Sequence, residues 1–168
     1  MSFDEALFDE VIEKREGATS TEIRRFVETL LLPLTDAECD RFAETYSYDS
    51  GDRLMPNAEL PRKYLDLLRW SNGGEFRSGR RTISLWPTGG PNGVRMTNLD
   101  YGIPKHAPGL LAFASDGGGN FFCFDWRSSE RVGFAALEVG GPPAGFWPIE
   151  TSFLEVLTSN RRVTELCD

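Results

Sequence analysis

The residues able to do chemistry are few and scattered. His106 is the only histidine, set between Pro104 and Pro108. A single histidine removes HExxH metalloproteases and multi-histidine metal centres from consideration. A Ser–His–Asp set would have to run through it, and no GxSxG elbow exists to hold the serine. An exposed bystander in a loop is the expectation for His106. Cys39, Cys123 and Cys167 are odd in number, far apart and never in a CxxC pair, which speaks against a zinc ribbon or a thioredoxin-type motif. Cys123, inside Phe121-Phe122-Cys123-Phe124, reads as a small buried hydrophobe. Asp116 and Asp125 bracket Gly117-Gly118-Gly119 and have the residue type of a general acid and base. That work needs perturbed environments, and the expected roles are a turn former and a strand end. The triple glycine lacks the Lys and Ser/Thr of a phosphate loop and runs into an apolar strand, so it reads as a hairpin turn. Asp49, Asp52 and Glu59 lack EF-hand spacing. Catalytic residues, metal and cofactor are therefore all expected to be none.

The elements that must position these residues can be read from period and caps. Ser2-x-x-Glu5, Thr19-x-x-Glu22 and Thr35-x-x-Glu38 have the form of capping boxes. The first predicts a helix with Phe3, Leu7 and Val11 on one face. The second predicts one with Ile23, Phe26, Val27, Leu30 and Leu31 inward, stopped by Pro33. The third places Cys39, Phe42, Ala43 and Tyr46 inward. Pro61 suits a first helical position ahead of Tyr64, Leu67 and Leu68, and Asn72-Gly73-Gly74 ends that helix. Beyond residue 80 the period changes. Strands are expected over Thr82–Trp86, Leu110–Ala114, Phe121–Phe124 and Val132–Val139, and a last helix capped by Thr151 carries Phe153, Val156 and Leu157 inward. Two segments look irregular: 87–109, with four prolines and five glycines, and 140–148, with three of each. The first has room for a short strand at Val94-Arg95-Met96. Helices, then hairpin-joined strands, then a helix make an α+β fold with a mostly antiparallel sheet flanked by helices. The expected division is an N-terminal helical extension over 1–34 and an α+β domain over 35–168.

Composition narrows the function. The chain has 168 residues, 40% of them hydrophobic and 26% charged, an ordinary globular balance without a bilayer-spanning stretch. The acidic start, Ser2-Phe3-Asp4-Glu5, is unlike a secretory signal, and a cytoplasmic monomer is expected. The net charge is −8, unevenly spread: residues 1–60 hold 15 acids and 6 bases, residues 61–168 hold 11 and 12. Such an acidic first third argues against nucleic-acid or anionic-membrane binding. It suits either plain solvation or a basic protein partner. Trp86, Trp126 and Trp147 fall at strand ends or in loops, where aromatics serve as packed rims or as binding anchors. With Asp49 and Asp52 they are the candidate partner-binding residues.

Three segments carry a resemblance. Leu60-Pro61-x-x-Tyr64-x-x-Leu67-Leu68, with Asn72-Gly73-Gly74 after it, resembles the LPxxY…NGG signature of the SUKH superfamily, the group typified by the Smi/Knr fungal cell-wall regulators. Leu111 to Ser115, then Asp116-Gly117-Gly118-Gly119 and Phe124-Asp125, is similar to its strand, turn and aromatic strand. Ser152-Phe153-Leu154-Glu155-Val156-Leu157 looks like its closing helix. Leu60, Pro61, Tyr64, Asn72, Gly73, Gly74, Asp116, Gly117, Gly119 and Asp125 are the motif residues, with structural roles. Residues 1–32, the connection from Tyr46 to Leu60 and the 87–109 segment depart from the usual pattern. The resemblance implies an α+β domain without catalytic residues. Bacterial relatives look like immunity proteins that neutralise a cognate toxin, often a nuclease, and fungal ones like regulatory scaffolds.

Overall fold

The computed structural model describes residues 3–127, 132–139, 146–149, 152–159 and 166, and the side chains among them except those of 146–149. Ser2, Thr151, Cys167 and the Trp147 side chain lie outside the described set, and the last helix is capped by Ser152 in place of the expected Thr151, with Ser152 Oγ accepting from the Glu155 N–H at 3.3 Å. Seven strands form one sheet in sequence order: β1 (Glu10–Lys14), β2 (Gly74–Ser78), β3 (Arg81–Leu85), β4 (Leu110–Ser115), β5 (Asn120–Asp125), β6 (Gly133–Glu138) and β7 (Phe146–Ile149). Every neighbouring pair is antiparallel. The α+β expectation with a mostly antiparallel sheet is what the chain adopts.

Helices α1 (Ser20–Leu31), α3 (Arg62–Trp70) and α6 (Phe153–Thr158) pack on one face. Their caps explain where they begin. Thr19 Oγ1 accepts from the Glu22 N–H while the Glu22 carboxylate accepts from the Thr19 N–H at 2.7 Å. Thr35 and Glu38 repeat this at the start of α2 (Asp36–Phe42). Beneath α1, α3 and α6 lies a core of large rings. Tyr64 meets Phe26, Phe113, Phe124 and Phe153, and Phe113 stacks on Phe124 at 4.4 Å.

Alternation along β5 sends Phe122 and Phe124 into that core and Phe121 and Cys123 to the opposite face. The second face is smaller: Leu110, Ala112, Phe121, Cys123 and Ala135 lie under Ile103 and Ala107. Ile103 belongs to α5 (Ile103–His106), which follows α4 (Val94–Asp100). A third cluster of Leu34, Phe42, Tyr48 and Leu99 ties α2 to α4.

Several expectations are corrected. The helix expected through Phe3, Leu7 and Val11 is a single 3-10 turn, Glu5–Leu7, capped by Asp4, followed by β1. Three apolar residues fit either period. Pairing with β2, together with Phe8 stacking on Trp70 and Phe76, favours the strand. Residues 1–34 thus hold a strand as well as a helix, and Phe8, Ile23, Phe26 and Leu30 share the main core. Val94-Arg95-Met96 opens α4 instead of forming a strand, and Val94 and Asn98, one helical turn apart, are both buried. His106 ends α5 and is exposed. The stretch 140–148 contains the start of β7, where Pro148 is tolerated because an edge strand leaves one side unpaired. Ala43 is exposed, since α2 ends at Phe42. β2 had no sequence signal beyond Phe76. Among the described residues no helix is long and apolar enough to cross a membrane.

Candidate functional site

The motif residues are structural joints. Gly73 and Gly74 have φ of +94° and +122°, a region open to glycine, and turn α3 into β2. The Asp116 carboxylate accepts from the N–H of Gly118 (2.7 Å), the N–H of Asn120 (3.0 Å) and Asn120 Nδ2 (2.7 Å), which organises the β4–β5 turn. Asp125 stands at the other end of β5, roughly 17 Å away by strand rise. Burial alone would push its carboxyl up, but the Arg127 side chain and N–H outweigh that and hold it below the ordinary range. The two aspartates do not converge. The Tyr64 hydroxyl is buried with no hydrogen-bond partner among the described residues, and burial pushes its pKa up. Leu60 is buried, and Pro61 is the N-cap of α3. Cys123 is buried in the sheet, and burial followed by the nearby Asp125 charge raises its thiol. Among the described residues no His/Cys/Asp/Glu group could hold a metal.

The candidate anchors separate. Trp126 is half-buried against Phe124 on the main core. Trp147 lies opposite Ala136 in the β6–β7 register. Trp86 borders the second face, where its ring and that of Tyr101 each meet Phe121 at 4.8 Å and nearly at right angles, 87° and 89°. Phe121 is buried, whereas Tyr101 is 48% exposed. The three rings line an open notch of about 520 Å³, completed by Asn92, Asp100 and Ser115 among others.

α4 carries the wall of this notch, and one buried side chain holds α4. Asn98 Oδ1 accepts from the Ala112 N–H at 2.9 Å, and its Nδ2 donates to the Ala112 carbonyl at 2.8 Å and the Val94 carbonyl at 2.7 Å. An amide side chain thereby gives β4 the two bonds a neighbouring strand would supply. At Gly102 (φ +66°) a Cβ would stand 2.5 Å from Tyr46 Cε1, so the α4–α5 turn needs glycine. Sequence reasoning found neither Asn98 nor Tyr101, because both lie in the segment it read as irregular.

Beside the notch runs an acidic ridge. Residues 36–52 carry six acids and one base. Asp36, Asp40, Glu44 and Asp49 are exposed there, and Asp100 is exposed at the end of α4. Tyr46 and Tyr48 donate to the carbonyls of Asp100 (2.8 Å) and Leu99 (2.9 Å), which joins ridge to notch. The crowding is visible on Cys39: partial burial, then the charges of Asp36, Asp52, Glu38 and Asp40, raise its thiol. Asp52 and Asp49 share Lys105, at 2.9 and 3.6 Å. Glu38 is committed inward: Arg95 donates to it at 2.6 and 2.8 Å and outweighs desolvation, holding it at about 2.

A meander sheet with helices on both faces defines the chain as an α+β domain, with an acidic ridge and an aromatic notch side by side on its surface. A family profile described as SMI1 / KNR4 family (SUKH-1) matches residues 33–136, more than half of the chain, and the chain belongs to that family. No curated protein matches it.

Proposed function

We propose that the protein is an immunity-type binder that neutralises a cognate toxin by covering it, without catalysis and with no cofactor. The observation that carries this reading is the junction of the acidic ridge with the aromatic notch. Nuclease toxins need basic surfaces to hold phosphates, and a ridge with six acids over 36–52 is complementary to such a surface. Opposite fields speed encounter, while an aromatic notch slows departure, because buried aromatics dominate interface energy. The proposed partner is a cytoplasmic toxin with a basic face, bound one to one by a monomer.

The test is co-expression with each candidate toxin from the same genome, those encoded next to this gene first. Wild-type protein rescues growth, and the purified complex weakens steeply as salt rises from about 50 to 300 mM, where screening shortens to within a few ångströms. Asp40→Asn, Glu44→Gln and Asp49→Asn together lower the on-rate at least about tenfold while leaving the melting point near wild type. Failure of wild-type rescue overturns the toxin reading in favour of a Smi/Knr-type regulatory scaffold.

A further inference from the structure

We propose that the notch formed by Trp86, Tyr101, Phe121 and Asp100 is an arginine pocket: it takes one guanidinium side chain from the partner, stacked on the exposed aromatic surface and bonded to the Asp100 carboxylate. The proposal deepens the partner-binding reading above and rests on it.

Four observations lead to this occupant. First, the exposed π surface comes from Trp86 and Tyr101, since Phe121 is 6% exposed and forms the floor that both rings abut. The faces of such rings are electron-rich and attract cations, and tryptophan does so best. Second, Asp100 is the last residue of α4, directly before Tyr101, and its side chain is 41% exposed. Arg41 Nη2 stands 3.9 Å from it, beyond hydrogen-bond reach, so the carboxylate keeps acceptor capacity. Third, Asn92 and Ser115 add neutral oxygens, and among the described residues no lysine or arginine lines the notch. Fourth, the adjoining ridge is acidic, so a cationic side chain is drawn toward the opening.

The same features select among occupants. An apolar side chain would cover Asp100, Asn92 and Ser115 without satisfying them. A lysine ammonium is compact and strongly hydrated. A guanidinium is planar, weakly hydrated and forked, so it can stack on a ring and bond a carboxylate through two N–H groups at once. The molecule already contains a weaker version of this contact: Lys14 Nζ sits 5.4 Å from the Trp70 ring centre, so that tryptophan is occupied and serves as an internal control.

The test is a titration of isotope-labelled full-length protein with N-acetyl-argininamide, following the indole N–H signals of Trp86 and Trp70. Trp86 should move saturably with a dissociation constant in the millimolar range, as suits one side chain, while Trp70 stays still. The neutral isostere N-acetyl-citrullinamide should bind about tenfold more weakly, and N-acetyl-lysinamide about fivefold. Tyr101→Ala and Asp100→Asn, both at exposed positions, should each weaken the arginine response about fivefold and leave the remaining spectrum in place. A motionless Trp86, an equal response to citrulline, or equal movement of Trp70 overturns the pocket. An equal response to the lysine amide overturns its guanidinium preference. The two readings fail separately. Toxin binding that survives Tyr101→Ala and Asp100→Asn overturns the arginine pocket alone. A Trp86 response to argininamide with no toxin neutralised overturns the toxin reading alone.

Discussion

The two faces of the sheet are made from the same strands and are packed differently. On the first face, Phe113, Phe122, Phe124 and Tyr64 are at most 1% exposed, and three helices cover them. On the second, Ala112, Cys123 and Ala135 take up little room. α4 and α5 approach closely there, are fixed by an amide side chain, and leave Trp86 and Tyr101 partly open to water. Large rings interlock and give stability. Small residues beneath a pinned helix give a shaped surface. The alternation of side chains along each strand thus separates a face filled by large rings from one lined by small residues.

Substitutions can break or sharpen that division. The largest effect belongs to the first face. Phe124→Ala, at the centre of the ring cluster, should lose about 3–5 kcal/mol of stability in denaturant titrations, where a loss below about 1 kcal/mol would mean the core is not organised around these rings. Asn98→Ala comes next. It strands the Ala112 N–H and carbonyl, should cost about 2–3 kcal/mol, and should shift the Trp86 and Tyr101 signals as the notch loosens.

Glu38 gives a smaller, pH-dependent effect. Its folded pKa, about 2, is lowered from 4.5, so its contribution is present above the unfolded value and fades as pH falls from about 4.5 toward 2. Allowing for the water that still reaches the pair, Arg95→Met should remove about 1–2 kcal/mol at neutral pH and flatten the acid limb of the stability curve between those values. Undiminished acid sensitivity in that variant would remove Glu38 as its source. The smallest effect tests the ring cluster from the other side. Tyr64→Phe should be neutral or stabilising by up to about 1 kcal/mol, because the hydroxyl has no partner to lose among the described residues; a clear destabilisation would reveal a buried water bonded to it.

Legibility in the sequence followed the same division. The first face announces itself. Ile23, Phe26 and Leu30 recur at helical spacing, the Thr19–Glu22 and Thr35–Glu38 caps are local, and Phe121–Phe124 is a continuous apolar run, so helices and central strands were readable. The motif glycines were readable for the same reason, since a turn is a local demand. The second face was not. α4 and α5 are short, interrupted by Pro104 and Gly102, and stabilised by a bond from Asn98 to a strand 14 residues away, which no local pattern reveals. The strand character of β1 is not legible locally, because its partner, β2, lies some sixty residues on and supplies the bonds that decide it. Of the candidate site, Trp86 and the acidic stretch over 36–52 stand out in the sequence. Tyr101 and Asp100 were hidden in the apparently irregular segment. The grouping of Asp49 and Asp52 with Lys105 instead of with a tryptophan required the fold.

Amide hydrogen exchange on the complex with the proposed basic protein partner tests the central claim most directly. Protection gained over 36–44 and 92–101, with 62–70 and 153–158 unchanged, is the result expected if partners are met at the ridge and notch. Protection gained instead over α3 and α6, with the ridge still exchanging freely, would contradict it.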